Sequence, residues 1–233
     1  MPCILNIETS TSVCSVALSL NSEVLFEKVS YEGPSHAALL GVYVEEALSV
    51  LKARREKLEA VAVSSGPGSY TGLRIGVSVA KGLCFGFGIP LISIHTLDIM
   101  AAGVLRKKAF EIPNCLYCAM LDARRMEVYT SIYDELLNPV RETVAEVVGL
   151  DAYSSYLENN KVCFFGNGAS KCKPFITSPN AFFIEDIHPL ALDMIPLAEQ
   201  AFFSGKFEDT AYFEPFYLKE FQATIAKNKV LGK

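Results

Sequence analysis

The stretch Ser64-Ser65-Gly66-Pro67-Gly68-Ser69-Tyr70-Thr71-Gly72 joins an apolar strand to a helix and is the most unusual segment of the sequence. The strand before it is Ala60-Val61-Ala62-Val63, and the predicted helix after it runs from about Thr71 to Phe87. Free backbone N–H groups at a helix N-terminus can hold an anion, and glycine lets a ligand approach closely. The stretch predicts either an anion site or a tight turn that needs small residues, and the residues alone leave both interpretations open.

Two nucleotide-binding motifs can be compared with this stretch. A dinucleotide fingerprint needs closer glycine spacing than that of Gly66, Gly68 and Gly72. It also needs an acidic residue at the end of the next strand, but that strand ends here with Ile94-His95-Thr96. A Walker loop is excluded because no Gly-Lys-Ser or Gly-Lys-Thr follows. A dinucleotide-binding domain therefore remains one of the hypotheses for this chain.

The segments around the stretch alternate between strand and helix patterns. In the first half, strands are predicted at 3–8, at 13–20, from 24 and at 90–95, and helices at 35–55 (with Ser35 as N-cap) and from 96 to about 105. In the second half, strands are predicted at 115–121, 128–133, 143–147 and 162–165, and helices at 151–158 and 190–203. Both halves contain three strands, a helix, a strand, a glycine-containing turn and a helix, which indicates a duplicated unit with a boundary near Arg106-Lys107-Lys108.

Composition excludes several classes of protein. Of 233 residues, 51% are hydrophobic and 20% are charged, which excludes a disordered or fibrous chain. The net charge of −5 argues against a broad nucleic-acid-binding surface. No apolar run reaches membrane-spanning length, no secretory signal is visible, and the cysteines are seven and scattered, so we expect a cytoplasmic protein with reduced thiols.

Other chemistry-bearing residues form only weak patterns. Cys115 and Cys118 lie three apart in a predicted strand, so their side chains should point to opposite faces. The three histidines are too dispersed to predict a metal site. Ser69, His36 and Asp98 supply the residue types of a hydrolase triad, but no Gly-x-Ser-x-Gly elbow surrounds Ser69.

Four segments together resemble the TsaB (YeaZ) family: Ile4–Ser10, Ser35-His36, Gly66–Gly76 and Asp122–Tyr129. The resemblance implies an α/β, actin/Hsp70-like (ASKHA) fold of duplicated βββαβα units, with lobes at 1–106 and 107–218 and a basic tail at 219–233. It also implies a role in making threonylcarbamoyladenosine in tRNA. In that system the family pairs with its catalytic paralogue TsaD, TsaE joins them, and the tRNA is contacted indirectly.

The chain departs from the catalytic relatives at three places. The second histidine of their metal motif is replaced by Leu40, four residues after His36, and a leucine cannot donate a lone pair to a metal. The two expected phosphate loops, Glu8-Thr9-Ser10 and Asp122-Ala123-Arg124, lack glycine. We therefore predict no catalytic residue, no metal and no cofactor bound by this chain alone, with ATP or ADP held only in the complex.

The two long helices of the first half each carry two apolar stripes. A helix at the surface of a protein needs only one apolar stripe, which faces the core. These stripes predict a partner interface with TsaD, or with a second copy when TsaD is absent, and they contain Leu39, Val42, Tyr43, Val50, Ile75, Val79, Gly82, Leu83 and Gly86. The alternative is that neighbouring elements of the same chain cover both faces. Candidate contacts to an anion or nucleotide at this interface are Ser69, Tyr70, Arg74, Arg124 and Arg125.

Two further hypotheses remain from the residues and the resemblance. One is a peptidase or weak nucleotide hydrolase, as the glycoprotease label of the superfamily suggests. The other is the dinucleotide-binding domain considered above. Neither requires a partner protein, so each predicts activity or tight ligand binding by the isolated chain.

Overall fold

The computed structural model describes residues 2–33, 36–107 and 112–219. Two five-stranded mixed sheets form its framework. The first unit consists of β1 (Cys3–Glu8), β2 (Cys14–Leu20), β3 (Glu23–Ser30), α1 (His36–Arg54), β4 (Ala60–Gly66), α2 (Tyr70–Phe87), β5 (Leu91–His95) and α3 (Thr96–Lys107). The second unit consists of β6 (Cys115–Asp122), β7 (Glu127–Tyr133), β8 (Pro139–Val147), α4 (Ser154–Leu157), β9 (Lys161–Phe165), α5 (Ala169–Cys172), β10 (Ala181–Ile184) and α6 (Ala191–Phe203).

The two sheets share one topology. Their strand orders are β3-β2-β1-β4-β5 and β8-β7-β6-β9-β10, with the first three strands of each unit antiparallel and the last two joined in parallel. Strands β1 and β4 are buried along their whole length, which explains their continuous apolar sequence. The duplication is the actin/Hsp70-like (ASKHA) arrangement, as the resemblance implied.

The last helix of each unit packs on the sheet of the other unit. Helix α6 covers the face of the first sheet that presents Ile4, Ala62 and Ile92. Helix α3 packs in the same way on the second sheet, beside Ala119 and Phe165. The two helices also contact each other between the sheets. Each sheet is therefore completed by a helix from the other half of the sequence.

The structure corrects the sequence interpretation mainly in the second half. The helix predicted at 151–158 is limited to Ser154–Leu157, and the strand predicted at 143–147 begins at Pro139. Helix α5 and strand β10, each four residues long, were not predicted. Helix α6 is consequently the counterpart of α3, and not of α2 as the predicted element order had it. The predicted N-cap Ser35 lies outside the described residues.

The segment after α6 runs along the first unit and then reaches the second. Glu208 pairs with Leu91 at the edge of the first sheet, and the Phe216 N–H donates to the Ser65 carbonyl at 2.7 Å. Lys219, where the predicted basic tail begins, forms an ion pair with Glu127 on β7. Residues 220–233 of that tail lie outside the described residues. Among the helices of the described segments, none has the length and apolar character needed to cross a membrane.

Candidate functional site

Helices α1 and α2 lie side by side on the outer face of the first sheet. One stripe of each helix enters the core, with Leu40, Val44, Ala47 and Leu51 on α1 and Leu73, Val77, Ala80 and Cys84 on α2. Ser69 caps the N-terminus of α2 by accepting a hydrogen bond from the Gly72 N–H at 3.2 Å, and Gly88 ends the helix in the left-handed conformation. The second stripe of each helix lies beside this buried stripe.

The predicted interface residues are only partly exposed. Val42, Gly82 and Gly86 are exposed, and the other six are partly buried. Five of these six pack at the edge of the core beneath the helices: Tyr43, Val50, Ile75, Val79 and Leu83. The structure thus gives both stripes some cover from their own chain and leaves an apolar outer surface along the helix pair.

The glycines of this surface have open space around them. A Cβ atom added to Gly82 or Gly86 would meet no atom within 4 Å. Phe85 and Phe87, which the stripe analysis omitted, extend the surface with exposed fractions of 88% and 54%. Exposed aromatic side chains beside helix glycines form a surface to which another helix could approach closely. We call the surface formed by these second stripes of α1 and α2, together with Phe85 and Phe87, the helix-pair face.

The glycine-rich stretch is packed against the β1–β2 turn. A Cβ atom on Gly68 would lie 2.3 Å from the Ser10 carbonyl oxygen, and one on Gly72 would lie 2.1 Å from that of Thr9. The Ser69 N–H donates to the Ser10 carbonyl at 2.6 Å. These contacts support the tight-turn interpretation, because the glycines are required by packing within the chain.

The candidate anion contacts fall into two groups. Ser69, Tyr70 and Arg74 lie together at the start of α2, where the Arg74 guanidinium is 4.5 Å from the Tyr70 ring centroid and its Nε donates to the Tyr217 hydroxyl at 3.3 Å. Hydrogen bonding to Tyr217 and the neighbouring Tyr70 raise the pKa of Arg74. Tyr217 is a partner that the sequence did not indicate.

Arg124 and Arg125 form the second group, in the β6–β7 turn. Both are exposed and have positive φ angles, 70° and 47°. The Arg124 N–H donates to Asp122 Oδ1 at 2.8 Å, and the Arg125 carbonyl accepts from Lys171 Nζ at 2.9 Å. Within the described ranges, neither guanidinium has a hydrogen-bond or ion-pair partner. These two cations are therefore available to an acidic or phosphorylated partner.

Glu8 occupies the position of the first expected phosphate loop. Its carboxylate is fully buried and accepts a hydrogen bond from the Ser10 N–H at 2.5 Å. Burial raises its pKa to about 7, although hydrogen bonds to Ser10 and Ser64 oppose the shift. A carboxylate enclosed in this way is not accessible to a phosphate-bound metal ion.

The residues of the alternative enzyme hypotheses do not converge. His36 is buried and its Nε2 lies 3.1 Å from the Val13 carbonyl oxygen. Asp98 accepts a hydrogen bond from the Tyr133 hydroxyl at 2.5 Å, while Ser69 caps α2. No group of three or more His, Cys, Asp or Glu side chains that could hold a metal occurs in the described part of the chain.

A cavity of about 350 Å³ lies between the two units. His95, Asp98, Tyr133, Glu142 and Phe216 are among its lining residues. Burial raises the pKa of Asp98, against the hydrogen bond from Tyr133 and the charge of His95. Sequence reasoning missed this cavity, because its walls come from four separate segments, 95–98, 131–143, 197–200 and Phe216, and no local pattern connects them.

The fold and this site define a two-lobed, actin-like protein whose glycine-rich turn is filled by its own chain. Residues 31–227 match the family model described as TsaD: tRNA N6-adenosine threonylcarbamoyltransferase. The chain is also 31% identical, over 99% of both chains, to the Escherichia coli protein named tRNA threonylcarbamoyladenosine biosynthesis protein TsaB. It belongs to the TsaB (YeaZ) family.

Further relatives agree with this assignment. The Haemophilus influenzae protein of the same name is 29% identical over 93% of both chains. The solved structure of YeaZ from Pseudomonas aeruginosa has a TM-score of 0.76 and 26% identity, covering 94% of this chain and 100% of that chain. A second Pseudomonas aeruginosa structure, of an uncharacterized protein with similarity to peptidase YeaZ, has a TM-score of 0.81 and 25% identity with the same coverage.

Proposed function

We propose that this chain is a docking subunit in the biosynthesis of threonylcarbamoyladenosine in tRNA. In this proposal it pairs directly with TsaD, TsaE joins the pair, and the chain catalyses no step by itself. Membership of a family named for this pathway supports the biological role. The observation that carries the docking role is the helix-pair face, where exposed glycines lie beside apolar side chains.

The chemistry of the helix-pair face favours another helix pair as its partner. Glycine at 82 and 86 lets a partner backbone approach α2, and Val42, Phe85 and Phe87 offer apolar area to bury. A stable interface of this kind buries on the order of 1,600 Å² in total. When TsaD is absent, a second copy of this chain could use the same face.

ATP or ADP enters this proposal only as a ligand of the complex. Arg74 is stacked on Tyr70 beside Ser69, and the Arg124 and Arg125 guanidiniums have no partner among the described residues. These three side chains would contact phosphate groups or carboxylates supplied with the partner. The glycine-rich turn offers less, because Gly68 and Gly72 lie directly against the backbone of Ser10 and Thr9. The tRNA would be bound mainly through the partner proteins, and the complex would work in the cytoplasm.

The docking proposal is tested with Gly82→Glu and a matched control, Gly41→Glu. Both glycines lie in long helices with open space around them, but Gly41 lies outside the predicted stripe. Replacing a helix glycine should leave each isolated variant at least as stable as the parent chain. We expect Gly82→Glu to lose co-elution with TsaD and formation of modified tRNA, and Gly41→Glu to keep both.

Two results would contradict the proposal. Co-elution of Gly82→Glu with TsaD at parental affinity would show that the helix-pair face is not the interface. Turnover of ATP or a peptide by the purified chain, abolished by Ser69→Ala, would establish the enzyme hypothesis instead.

A further inference from the structure

Two cysteines from different parts of the sequence meet in the second sheet. Cys115 begins β6 and Cys163 lies within β9, and these strands are parallel neighbours in which Tyr117 pairs with Cys163. The offset of two residues puts both thiols on the face covered by α3, and their Sγ atoms are 3.2 Å apart. A disulfide bond is about 2.05 Å long, so the sulfurs need to move about 1.1 Å closer to bond. Because the two cysteines are offset by two residues, their Cα atoms are about 7–8 Å apart, and the strands must also shift towards each other.

The other five cysteines lack such a partner. All seven lie in the described ranges and are reduced, and no second sulfur–sulfur contact occurs there. Cys118 is on the opposite face of β6, as the strand pattern predicted, with its Sγ 3.3 Å from the Thr130 hydroxyl. Cys172 donates to the Gly168 carbonyl at 3.2 Å. A pair formed by Cys115 and Cys163 is thus the one thiol pair that this part of the structure prepares.

The environment also separates Cys115 from the remaining thiols. The hydrogen bond with Cys163 lowers the pKa of Cys115, and the charge of Lys161 acts in the same direction against the effect of burial. The same hydrogen bond, together with burial, raises the pKa of Cys163. Burial raises the pKa values of Cys3, Cys14, Cys84 and Cys172 to about 11 and that of Cys118 to about 12.

Access to the pair is from the start of β6. Cys115 is 4% exposed and follows the exposed residues Pro113 and Asn114, whereas Cys163 is completely buried. A small uncharged oxidant can therefore meet Cys115 first. Cys163 is then the nearest thiol that can react with the oxidised sulfur.

We propose that Cys115 and Cys163 are a modification site, at which a hydroperoxide produces a reversible intramolecular disulfide. The Cys115 thiolate attacks the peroxide O–O bond, a sulfur–oxygen bond forms, and the leaving oxygen departs as hydroxide. The Cys163 sulfur then attacks the oxidised Cys115 sulfur, the S–O bond breaks as the S–S bond forms, and the departing hydroxide takes the Cys163 proton and leaves as water. For hydrogen peroxide, two thiols lose two electrons and two protons, and one peroxide becomes two waters.

The bond would connect two central strands directly beneath α3. Met100 and Val104 of α3 pack in the same cluster as both cysteines. Cross-linking β6 to β9 restricts the unfolded chain between them, so oxidation should raise the melting temperature of the protein. Reduction by dithiothreitol should return it to the original value.

The test uses the full chain, reduced and then treated with hydrogen peroxide. After alkylation in denaturant, we expect two of the seven thiols to be protected and a peptide cross-linked between Cys115 and Cys163. Dithiothreitol should restore both thiols. Cross-links to other cysteines, covalent dimers, or oxidation of Cys115 beyond sulfenic acid without a cross-link would overturn the proposal.

Variants provide an independent control. In Cys163→Ser, Cys115 should still oxidise, but no intramolecular disulfide should form. Cys118→Ser should form the cross-link at the parental rate. If Cys163→Ser fails to fold, peptide mapping of the peroxide-treated parent protein still decides the outcome. Equal thiol loss in the parent and in Cys163→Ser would show that Cys163 does not take part.

Discussion

The absence of a side chain at Gly72 lets α2 begin directly against the β1–β2 turn. The nearest atom to a Cβ at this position is a backbone oxygen, which cannot move without shifting the turn. At Gly82, on the same helix, no atom is near. Two glycines of one helix therefore have different physical roles, and one substitution distinguishes them.

We expect Gly72→Ala to lower the free energy of unfolding by about 1–3 kcal/mol or more, because it overpacks a closed contact. Gly82→Ala should instead raise it by about 0.5–1 kcal/mol, because alanine loses less backbone entropy in a helix. Urea unfolding of both variants against the parent measures the difference. Equal effects of the two substitutions would contradict the packing explanation.

Glu8 gives the chain a predictable dependence of stability on pH. Its pKa is about 7 when folded, against an ordinary value of 4.5, so the folded state binds the proton more tightly than the unfolded state. Stability contributed by this group therefore falls as pH rises from about 4.5 to about 7. The loss is on the order of 3 kcal/mol at 1.4 kcal/mol per pH unit.

Glu8→Gln removes this titration and keeps an oxygen that can accept from the Ser10 N–H. We expect the variant to match the parent near pH 4.5 and to be more stable at pH 8. Urea unfolding of both proteins across this range provides the difference curve, in which contributions from other groups cancel. A difference that does not change with pH would show that Glu8 titrates normally.

At the scale of elements, one ion pair joins α3 and α6. Arg106 of α3 contacts Asp193 Oδ1 of α6 at 2.7 Å through Nη2 and at 2.9 Å through Nε. Asp193 is 1% exposed, and burial raises its pKa against the effect of Arg106. Gly103 makes room for this carboxylate, since a Cβ there would lie 2.5 Å from Asp193 Oδ2.

Arg106→Met should destabilise the protein, because it leaves a buried carboxylate unpaired. Breaking a fully buried pair costs about 3–5 kcal/mol, but the Arg106 side chain is 44% exposed, so we expect about 1–2 kcal/mol. The loss of stability in Arg106→Met should become smaller as pH is lowered, because Asp193 binds a proton more strongly in the folded variant than in the unfolded chain. Denaturation of the parent, both single variants and the double variant with Asp193→Asn at pH 5 and pH 8 measures the coupling.

At the scale of the molecule, the exchange of α3 and α6 makes the two lobes interdependent. The predicted division into 1–106, 107–218 and 219–233 remains a prediction about the chain. The hydrophobic core contains residues from both sides of the boundary at residue 106, because α6 covers Ile4, Ala62 and Ile92 of the first sheet. The segment ending at Lys219 adds a further connection, through Glu127.

We therefore expect the fragments 1–106 and 107–218 not to fold cooperatively when separate. Without α6, the first fragment exposes an apolar sheet face, which is an aggregation hazard. Mixing the two should restore structure at equal stoichiometry, and the intact chain should melt in one transition by calorimetry and circular dichroism. A monomeric first fragment with its own cooperative melt would disprove this dependence.

Much of the fold could be predicted from local pattern. The strands and long helices of the first unit have apolar periodicity that neighbouring residues create, so their positions agree with the structure to within a few residues. Helix α5 and strand β10 could not be recognised, because four residues are too few to display a period. The glycine-rich stretch was recognisable as a strand-to-helix turn, but its partner, the Thr9–Ser10 turn, is more than fifty residues away.

The amino-acid sequence by itself determined that two similar units follow each other in the chain and that both stripes on α1 and α2 are apolar. Only the tertiary structure decided which of those side chains the chain covers itself, which helix completes which sheet, and that Cys115 meets Cys163. The physical reason is that periodicity records how a residue is oriented within its own element. The atoms that it touches across space depend on how distant elements pack together.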